Sequence, residues 1–214
     1  MTIHSDGESR QTKLERIGKL SAKDKDTVFN NLYHVIDIPL LKETFNSLKG
    51  KKAIGIDGVT KTKYGANLEE NLIELNTRIR RGTYKPQPAR LVEIPKEDGS
   101  SRPLAISCLE DKLVQSAVNL ILNNIYEPLF LPTSYGFRPG KSCHQALRAL
   151  SNYTYSSYDG AVVEIDLRKF FNTLPHEEVL NCLRRKINDK KVSKIVKQIN
   201  EDSNHGRNRF NNTQ

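Results

Sequence analysis

The sequence Val-Val-Glu-Ile-Asp-Leu-Arg-Lys-Phe-Phe occupies residues 162–171 and predicts more of the fold than any other stretch. Apolar and polar residues alternate through its first half, which is typical of a strand with one face on a core. Such a strand brings Asp166 to the lip of a sheet, where a carboxylate can bind a metal ion. An Asp at a strand-to-helix turn is also a common capping residue, and the spacing alone leaves both interpretations open.

The pattern Asp166-x-x-x-Phe-Phe, followed by His176, resembles the first catalytic block of the palm in reverse transcriptases encoded by group II introns and in retron-type enzymes. The resemblance implies that the Asp166 carboxylate and the Leu167 carbonyl bind catalytic Mg2+. It also implies that Phe171 is a steric gate that favours deoxynucleotides. The implied activity is RNA-directed DNA synthesis, with group II intron RNA as template, a DNA primer and dNTP as substrates.

Two short extended runs, residues 91–96 and 102–106, flank an Asp-Gly dipeptide, and this arrangement predicts a β-hairpin. Lys96 and Arg102 flank its tip, either as solvated surface charges or as a grip on a triphosphate. The string Ile-Pro-Lys-x-Asp-Gly-x-x-Arg-Pro-Leu resembles the finger hairpin of reverse transcriptases. That resemblance implies that Lys96 and Arg102 contact the incoming nucleotide.

Two further loops combine glycine with basic residues. Residues 49–60 contain Lys51 and Lys52 and fit either a plain turn or a loop that approaches phosphates. Residues 134–142 contain Arg138 and Lys141 and fit either a rigid packed loop or a surface that stacks on bases and contacts phosphates. The strings Gly-Ile-Asp-Gly-Val-Thr and Ser-Tyr-Gly-Phe-Arg-Pro-Gly resemble motifs of the same family, and we expect these four basic residues to bind RNA.

Composition agrees with a nucleic-acid partner. The chain of 214 residues has 34 Lys plus Arg against 25 Asp plus Glu, a net charge of +9, which favours a polyanion such as nucleic acid or an acidic membrane surface. No stretch approaches the roughly twenty apolar residues of a membrane span. The polar first ten residues lack the apolar core of a signal peptide. These features predict a cytoplasmic protein that does not enter membranes.

The expected architecture is α+β, with the fingers and a partial palm of a right-hand polymerase. We expect an N-terminal arm and a helix capped by Ser21 in residues 1–39, and fingers in residues 40–141. The first palm segment follows in residues 142–189, and residues 190–214 form a helix and a polar tail that we expect to be disordered. The longest helical pattern runs from Leu109 to Tyr126.

The family resemblance stops after Ile187. The Gly-x-Pro-Gln-Gly block and the Tyr-x-Asp-Asp hairpin, which carries the remaining metal carboxylates, are absent from the sequence. A single carboxylate binds Mg2+ weakly, so we expect this chain alone to be inactive as a polymerase. The alternative is a non-catalytic, maturase-like RNA-binding fragment that assists intron splicing. A palm strand without its neighbours has an unpaired edge, which predicts self-association.

Overall fold

The computed structural model describes residues 10–50, 53–95, 97, 99, 101–156, 159–168 and 170–211. Its elements in chain order are α1 (Arg10–Lys23), a 3-10 turn (Leu32–Val35), α2 (Ile38–Ser47), α3 (Lys61–Gly65), α4 (Leu68–Arg81), β1 (Arg90–Pro95), β2 (Ser101–Ile106), α5 (Leu109–Tyr126), a second 3-10 turn (Glu127–Leu129), α6 (Cys143–Ser156), α7 (Phe170–Thr173), α8 (His176–Arg184) and α9 (Lys190–Asn211). Within these residues, no helix combines the length and apolar character that crossing a membrane requires.

Helix α5 is the centre of the core, and its bounds confirm the helix predicted from the apolar periodicity. Its inward residues recur every three or four positions, and Leu113, Ala117, Ile121 and Ile125 are almost completely buried. Helices α1, α2 and α9 pack around it. The core therefore combines elements from both ends of the described chain.

The N-terminal helix differs from the prediction. Ser21 does not begin a helix but lies near the end of α1, where it is buried. Its hydroxyl donates a hydrogen bond of 2.6 Å to the carbonyl oxygen of Ile125 at the end of α5. The polar residue that looked like a cap therefore joins two packed helices, because a buried hydroxyl needs a partner.

The C-terminal helices return to the N-terminal part of the core. The backbone N–H of Phe29 donates to the Lys186 carbonyl at 2.8 Å, and the N–H of Asn188 donates to the Phe29 carbonyl at 2.9 Å. Val192 and Ile195 of α9 are buried in the same core. A helix is thus confirmed where the sequence predicted one from residue 190, and its first turns are packed against the N-terminal elements.

The predicted hairpin is confirmed. Strands β1 and β2 are antiparallel, with Arg90 opposite Ile106 and Pro95 opposite Ser101. Gly99 lies in the turn with φ of 79°, a left-handed conformation that glycine adopts without steric cost. The Asp-Gly signal therefore located the turn correctly.

The strand predicted at residues 162–167 is wrong for this structure. The segment has no regular secondary structure, and the side chains of Val163 and Ile165 are 78% and 82% exposed. A strand requires a hydrogen-bonded neighbour, and in the part of the chain that is described β1 and β2 pair only with each other. The α+β class is confirmed in its coarse form, a mixed helical chain with a two-stranded sheet.

Candidate active site and nucleic-acid interface

Asp166 lies in an exposed stretch of backbone that leads into α7. All residues from Asp159 to Arg168 are exposed. The carbonyl oxygen of Leu167 accepts a hydrogen bond of 3.2 Å from the N–H of Phe170, the first residue of α7. This bond turns the chain from the extended stretch into the helix. Phe171 follows within α7, and the position of its ring lies outside the described part of the structure.

The residues present do not fit a complete magnesium centre. Among the described residues, no three His, Cys, Asp or Glu side chains come close enough together to hold a metal ion. Asp166 offers one carboxylate, whereas a two-metal centre for phosphoryl transfer requires carboxylates that bridge or hold both ions. The described residues therefore do not supply the ligands of a complete two-metal centre, and the Mg2+ role of Asp166 and Leu167 stays a prediction.

Arg102 lies on the hairpin as expected. It is exposed on β2, directly opposite Ile94 in the strand register, one residue from the pair that closes the turn. The exposed side chain of Arg102 is therefore accessible to a ligand. Lys96, its expected counterpart across the tip, lies outside the described residues, so the two-sided grip on a triphosphate stays a prediction.

Residues 53–60 of the first basic loop are docked on α5 and its N-cap residue Cys108. The ammonium group of Lys112 donates to the Ala53 carbonyl at 2.6 Å, and the Nε of Arg90 donates to the Ile54 carbonyl at 2.9 Å. A Cβ on Gly55 would lie 2.6 Å from the Cα of Cys108, so this glycine allows the loop to pack closely. Lys51 and Lys52 lie outside the described residues, and their RNA contact stays a prediction.

Arg138 organises the loop that precedes α6. All three of its guanidinium nitrogens donate hydrogen bonds, and their acceptors are the Glu127 carboxylate at 2.8 Å and the carbonyl oxygens of Leu131 and Ser134 at 2.7 and 2.8 Å. The ion pair is largely enclosed, with the Arg138 side chain 9% exposed. The guanidinium also lies 5.1 Å from the centre of the Phe130 ring. Arg138 therefore holds this loop together.

The same loop presents a residue that the sequence analysis did not single out. Phe137 has φ of 56°, rare for a bulky side chain, and its ring is completely exposed. Lys141 lies 5.4 Å from the centre of the Tyr135 ring. The bonds from Arg138 to the Leu131 and Ser134 carbonyls tie together the two sides of Phe137, which agrees with the first of the two interpretations that the sequence left open. The exposed aromatic ring is compatible with base stacking as well.

Comparisons with known proteins identify the family. The model of the family described as "Reverse transcriptase (RNA-dependent DNA polymerase)" matches residues 94–214, more than half of the chain, from the hairpin through Asp166. The chain belongs to the reverse transcriptase family. The family assignment confirms the resemblance found in the hairpin, the Arg138 loop and the Asp166 segment.

Relatives within the reverse transcriptase family include proteins encoded by introns. The chain is 35% identical over 187 residues to the group II intron-encoded protein LtrA of Lactococcus lactis subsp. cremoris, a match that covers 86% of this chain and 31% of LtrA. It is 38% identical over 153 residues to the protein YkfC of Escherichia coli, covering 70% of this chain and 40% of YkfC. It is 36% identical over 155 residues to the putative COX1/OXI3 intron 2 protein of Saccharomyces cerevisiae, covering 72% of this chain and 18% of that protein. The chain thus spans less than half the length of these relatives.

Replacing Arg138 with lysine tests the role of this loop in a reverse transcriptase fold. Lysine keeps the charge, but its three donors lie on one nitrogen and cannot span the acceptors that the planar guanidinium of Arg138 reaches together. We therefore expect residues 131–141 to open locally and the protein to lose about 1 to 3 kcal/mol of stability. Hydrogen exchange of the loop amides measures the opening. Arg148→Lys, at an exposed position of α6, is the matched control. Equal protection of the loop in both variants would contradict the assignment.

Proposed function

We propose that this chain forms the fingers and the first palm segment of an RNA-directed DNA polymerase encoded by a group II intron. The family match over residues 94–214 is the observation that carries the proposal. The similarity to LtrA, named as a group II intron-encoded protein, supports the intron origin. The proposed template is group II intron RNA, and the proposed substrates are a DNA primer and dNTP.

The roles of individual residues in this proposal follow their positions in the family motifs. Asp166 and the Leu167 carbonyl contribute ligands for Mg2+, and their exposure leaves them accessible to further protein ligands. Arg102 and Lys96 bind the nucleotide triphosphate, and Phe171 selects the deoxyribose. The exposed position of Arg102 on β2 supports its role, because a guanidinium there can reach a phosphate without leaving a buried partner.

The structural support differs among the residues that are proposed to contact RNA. Lys141 is half-buried beside Tyr135 and keeps its ammonium group at the surface of the loop. Arg138 already donates to groups within its own loop, so a phosphate contact would require it to share or release these bonds. We therefore propose that Arg138 supports RNA binding chiefly by holding Phe137 and Lys141 in place. Lys51 and Lys52 remain proposed phosphate contacts of the docked loop.

The incomplete metal centre gives a direct test of this proposal. We expect the 214-residue chain to make no complementary DNA in a primer-extension assay with RNA template, dNTP and Mg2+, because one carboxylate does not hold the ions that the reaction needs. A longer protein that continues into the remaining palm should extend the primer. Mg2+-dependent synthesis by the chain alone would contradict the proposed division, and inactivity of both proteins would contradict the polymerase function.

The maturase-like alternative predicts a different outcome in the same preparations. An RNA-binding fragment that assists splicing would accelerate splicing of its intron RNA without any downstream palm. The basic loops are compatible with either function. Splicing assistance by the chain alone, together with inactivity of the longer protein as a polymerase, would favour the alternative. The cytoplasmic location stays a prediction of the sequence.

The exposed apolar surface supports the proposed self-association. Helix α6 has no buried residue, and Leu147, Leu150 and Tyr153 on it are 64%, 48% and 65% exposed. The nearby segment of residues 162–167 is equally exposed. Apolar surface of this kind associates in water, and in a purified solution another copy of the chain is the available partner.

We expect sedimentation velocity to show a weight-average mass that rises with protein concentration. The double variant Leu147→Lys with Leu150→Lys should shift the chain toward the monomer. Ser151→Lys with Asn152→Lys adds the same charge at exposed polar positions of α6 and serves as the control. A compact monomer at every concentration would contradict the prediction.

A further inference from the structure

A basic cleft lies between α8 and α9, away from the hairpin and the Arg138 loop in sequence. Its volume is about 500 Å³, and its charged lining consists of Arg184 from α8, of Lys190, Lys194 and Lys197 from α9, and of Asp189 between the two helices. None of these residues belongs to the hairpin, to the two basic loops or to the Asp166 segment. The charge and the exposed side chains of this surface indicate what kind of partner can bind there.

The charge of this region is concentrated and poorly balanced. Residues 184–197 contain seven basic residues and one acidic residue, Asp189. Asp189 is 7% exposed, and its carboxylate accepts hydrogen bonds from the backbone N–H groups of Lys191, Val192 and Tyr33. Its negative charge is therefore stabilised by the backbone and does little to neutralise the lysines at the surface.

Two carboxylates outside this segment contact the cleft at its rim. Glu177 accepts a hydrogen bond of 2.6 Å from Arg184, and Glu201 lies 3.7 Å from the ammonium group of Lys197. All four side chains are about half exposed, so these pairs are weak and exchange readily with solvent or with another anion. They leave an excess of positive charge on the cleft.

The positions of the lysines in α9 are electrostatically unfavourable for the helix itself. Lys190, Lys194 and Lys197 follow one another at intervals of four and three residues and so share a face, where like charges repel by a few tenths of a kcal/mol per pair. The first turn of α9 contains Lys190 and Lys191 and no acidic residue. Positive charge there is unfavourable next to the positive end of the helix dipole. Asp189 offsets part of this cost as the cap of α9, but Lys190 and Lys197 remain exposed cations on this face.

The docking of α9 on α4 enlarges the basic surface. The ammonium groups of Lys191 and Lys194 donate to the carbonyl oxygens of Arg80 and Gly82, each at 2.9 Å. These bonds bring the last turn of α4, with the exposed side chains of Arg80 and Arg81, beside the first turns of α9. The surface thus unites two segments that are more than a hundred residues apart.

A nucleic acid fits this surface better than a lipid membrane does. Helices that lie in a membrane interface turn an apolar face into the lipid. The apolar residues of α9 are instead turned into the protein core, with Val192 1% and Ile195 4% exposed. What α9 presents to a partner is a row of lysines whose backbone positions are about 6 and 4.5 Å apart along the axis, and long flexible side chains can adapt from this row to successive phosphates of a strand.

We propose that the α8–α9 cleft binds the sugar-phosphate backbone of an RNA strand, independently of base sequence, through residues outside the hairpin and the Arg138 loop. The proposal rests on the proposed function for the choice of RNA as the polynucleotide. The contact needs neither Mg2+ nor a primer, because it depends on the cationic side chains of the cleft, chiefly Arg184, Lys190 and Lys197, with Lys194 also bonded to the Gly82 carbonyl. It is therefore present in the 214-residue chain.

The test is fluorescence anisotropy with a labelled single-stranded RNA at several salt concentrations. The double variant Lys190→Glu with Lys197→Glu should bind the RNA roughly tenfold or more weakly, and the slope of log K against log salt should become shallower by about 1.4, the value for two lost phosphate contacts on a single strand. Lys190→Arg with Lys197→Arg should bind as tightly as the original chain. Both positions are exposed, and circular dichroism checks that the variants are folded.

Lys19→Glu with Lys23→Glu on α1 is the matched control, because it changes the net charge equally at exposed positions outside the cleft. An equal loss of RNA affinity in both double variants would overturn the proposal, since net charge alone would then explain binding. An unchanged affinity of the cleft variant would overturn it too. A DNA duplex and vesicles containing phosphatidylserine are the comparison ligands, and a larger effect of the cleft variant on either one than on RNA would contradict the choice of RNA.

Failure of this proposal is distinguishable from failure of the proposed function. Primer extension by the longer protein reports polymerase activity, whereas the cleft is tested by binding to the 214-residue chain without dNTP. A longer protein that polymerises, combined with a cleft variant that binds RNA normally, would reject the cleft alone. An inactive longer protein with a defective cleft variant would reject the polymerase and keep a polynucleotide contact.

Discussion

Replacing Asp189 with alanine is expected to lower the free energy of unfolding by about 2 to 4 kcal/mol. Asp189 is buried at the start of α9, and one carboxylate oxygen accepts the N–H groups of Lys191 and Val192 at 2.9 and 3.1 Å. The other oxygen accepts the N–H of Tyr33 at 2.9 Å. Alanine removes the helix cap and also leaves a partly buried N–H of the N-terminal segment without its acceptor.

A matched variant separates these two effects. Asp37 caps α2 through a hydrogen bond of 2.9 Å from the N–H of Leu40, and its carboxylate also lies 3.8 Å from the ammonium group of Lys13 in a weak surface ion pair. Asp37→Ala should therefore cost roughly the 1 kcal/mol of an ordinary cap. Urea denaturation measures both free energies. Hydrogen exchange should in addition show faster opening of Tyr33 in the Asp189 variant. Equal destabilisation by the two substitutions would contradict the role of Asp189 as a link between the two ends of the core.

The elements predicted correctly are those that depend on short-range patterns. The apolar spacing of Leu109–Tyr126 reproduced α5, and the Asp-Gly signal reproduced the hairpin. The start of α6 is determined just as locally, since Ser142 and Gln145 form a capping box with side-chain to backbone hydrogen bonds of 2.9 and 3.3 Å. In each case the residues that determine the structure lie within a few positions of one another.

The differences arise where distant residues determine the outcome. Residues 162–167 have the alternation of a strand, but a strand forms only when another one pairs with it. Ser21 has the character of a cap, yet its hydroxyl is bonded to Ile125, more than a hundred positions away. The sequence of the Arg138 loop left its role open, because five donors fit a phosphate as well as they fit carbonyl oxygens.

Sequence motifs predicted which residues belong to the candidate site, but they did not predict how these residues are arranged in space. Family resemblance located Arg102 and Asp166, and the structure adds that both are exposed. The α8–α9 cleft was hidden in the sequence, because its charge depends on the packing of α9 against α4 and on the burial of Asp189. The density of lysines after residue 184 was the available signal.

The largest expected effect on activity belongs to Asp166. In a longer reverse transcriptase that contains this chain and the remaining palm, Asp166→Asn removes one negative charge from the proposed magnesium site. Loss of several kcal/mol of transition-state stabilisation corresponds to a fall in the rate of DNA synthesis of roughly a thousandfold or more. Affinity for the RNA template should stay unchanged, since the proposed RNA contacts lie on the basic loops and the cleft.

Glu164→Gln is the matched control, because Glu164 is an exposed carboxylate two positions away. The decisive measurement is the rate of Mg2+-dependent primer extension on an RNA template by the longer protein and by these two variants, with RNA affinity determined in parallel. We expect normal RNA binding in all three proteins and loss of DNA synthesis in the Asp166 variant alone. Undiminished synthesis by Asp166→Asn would contradict the proposal that this exposed carboxylate belongs to the catalytic centre of a reverse transcriptase.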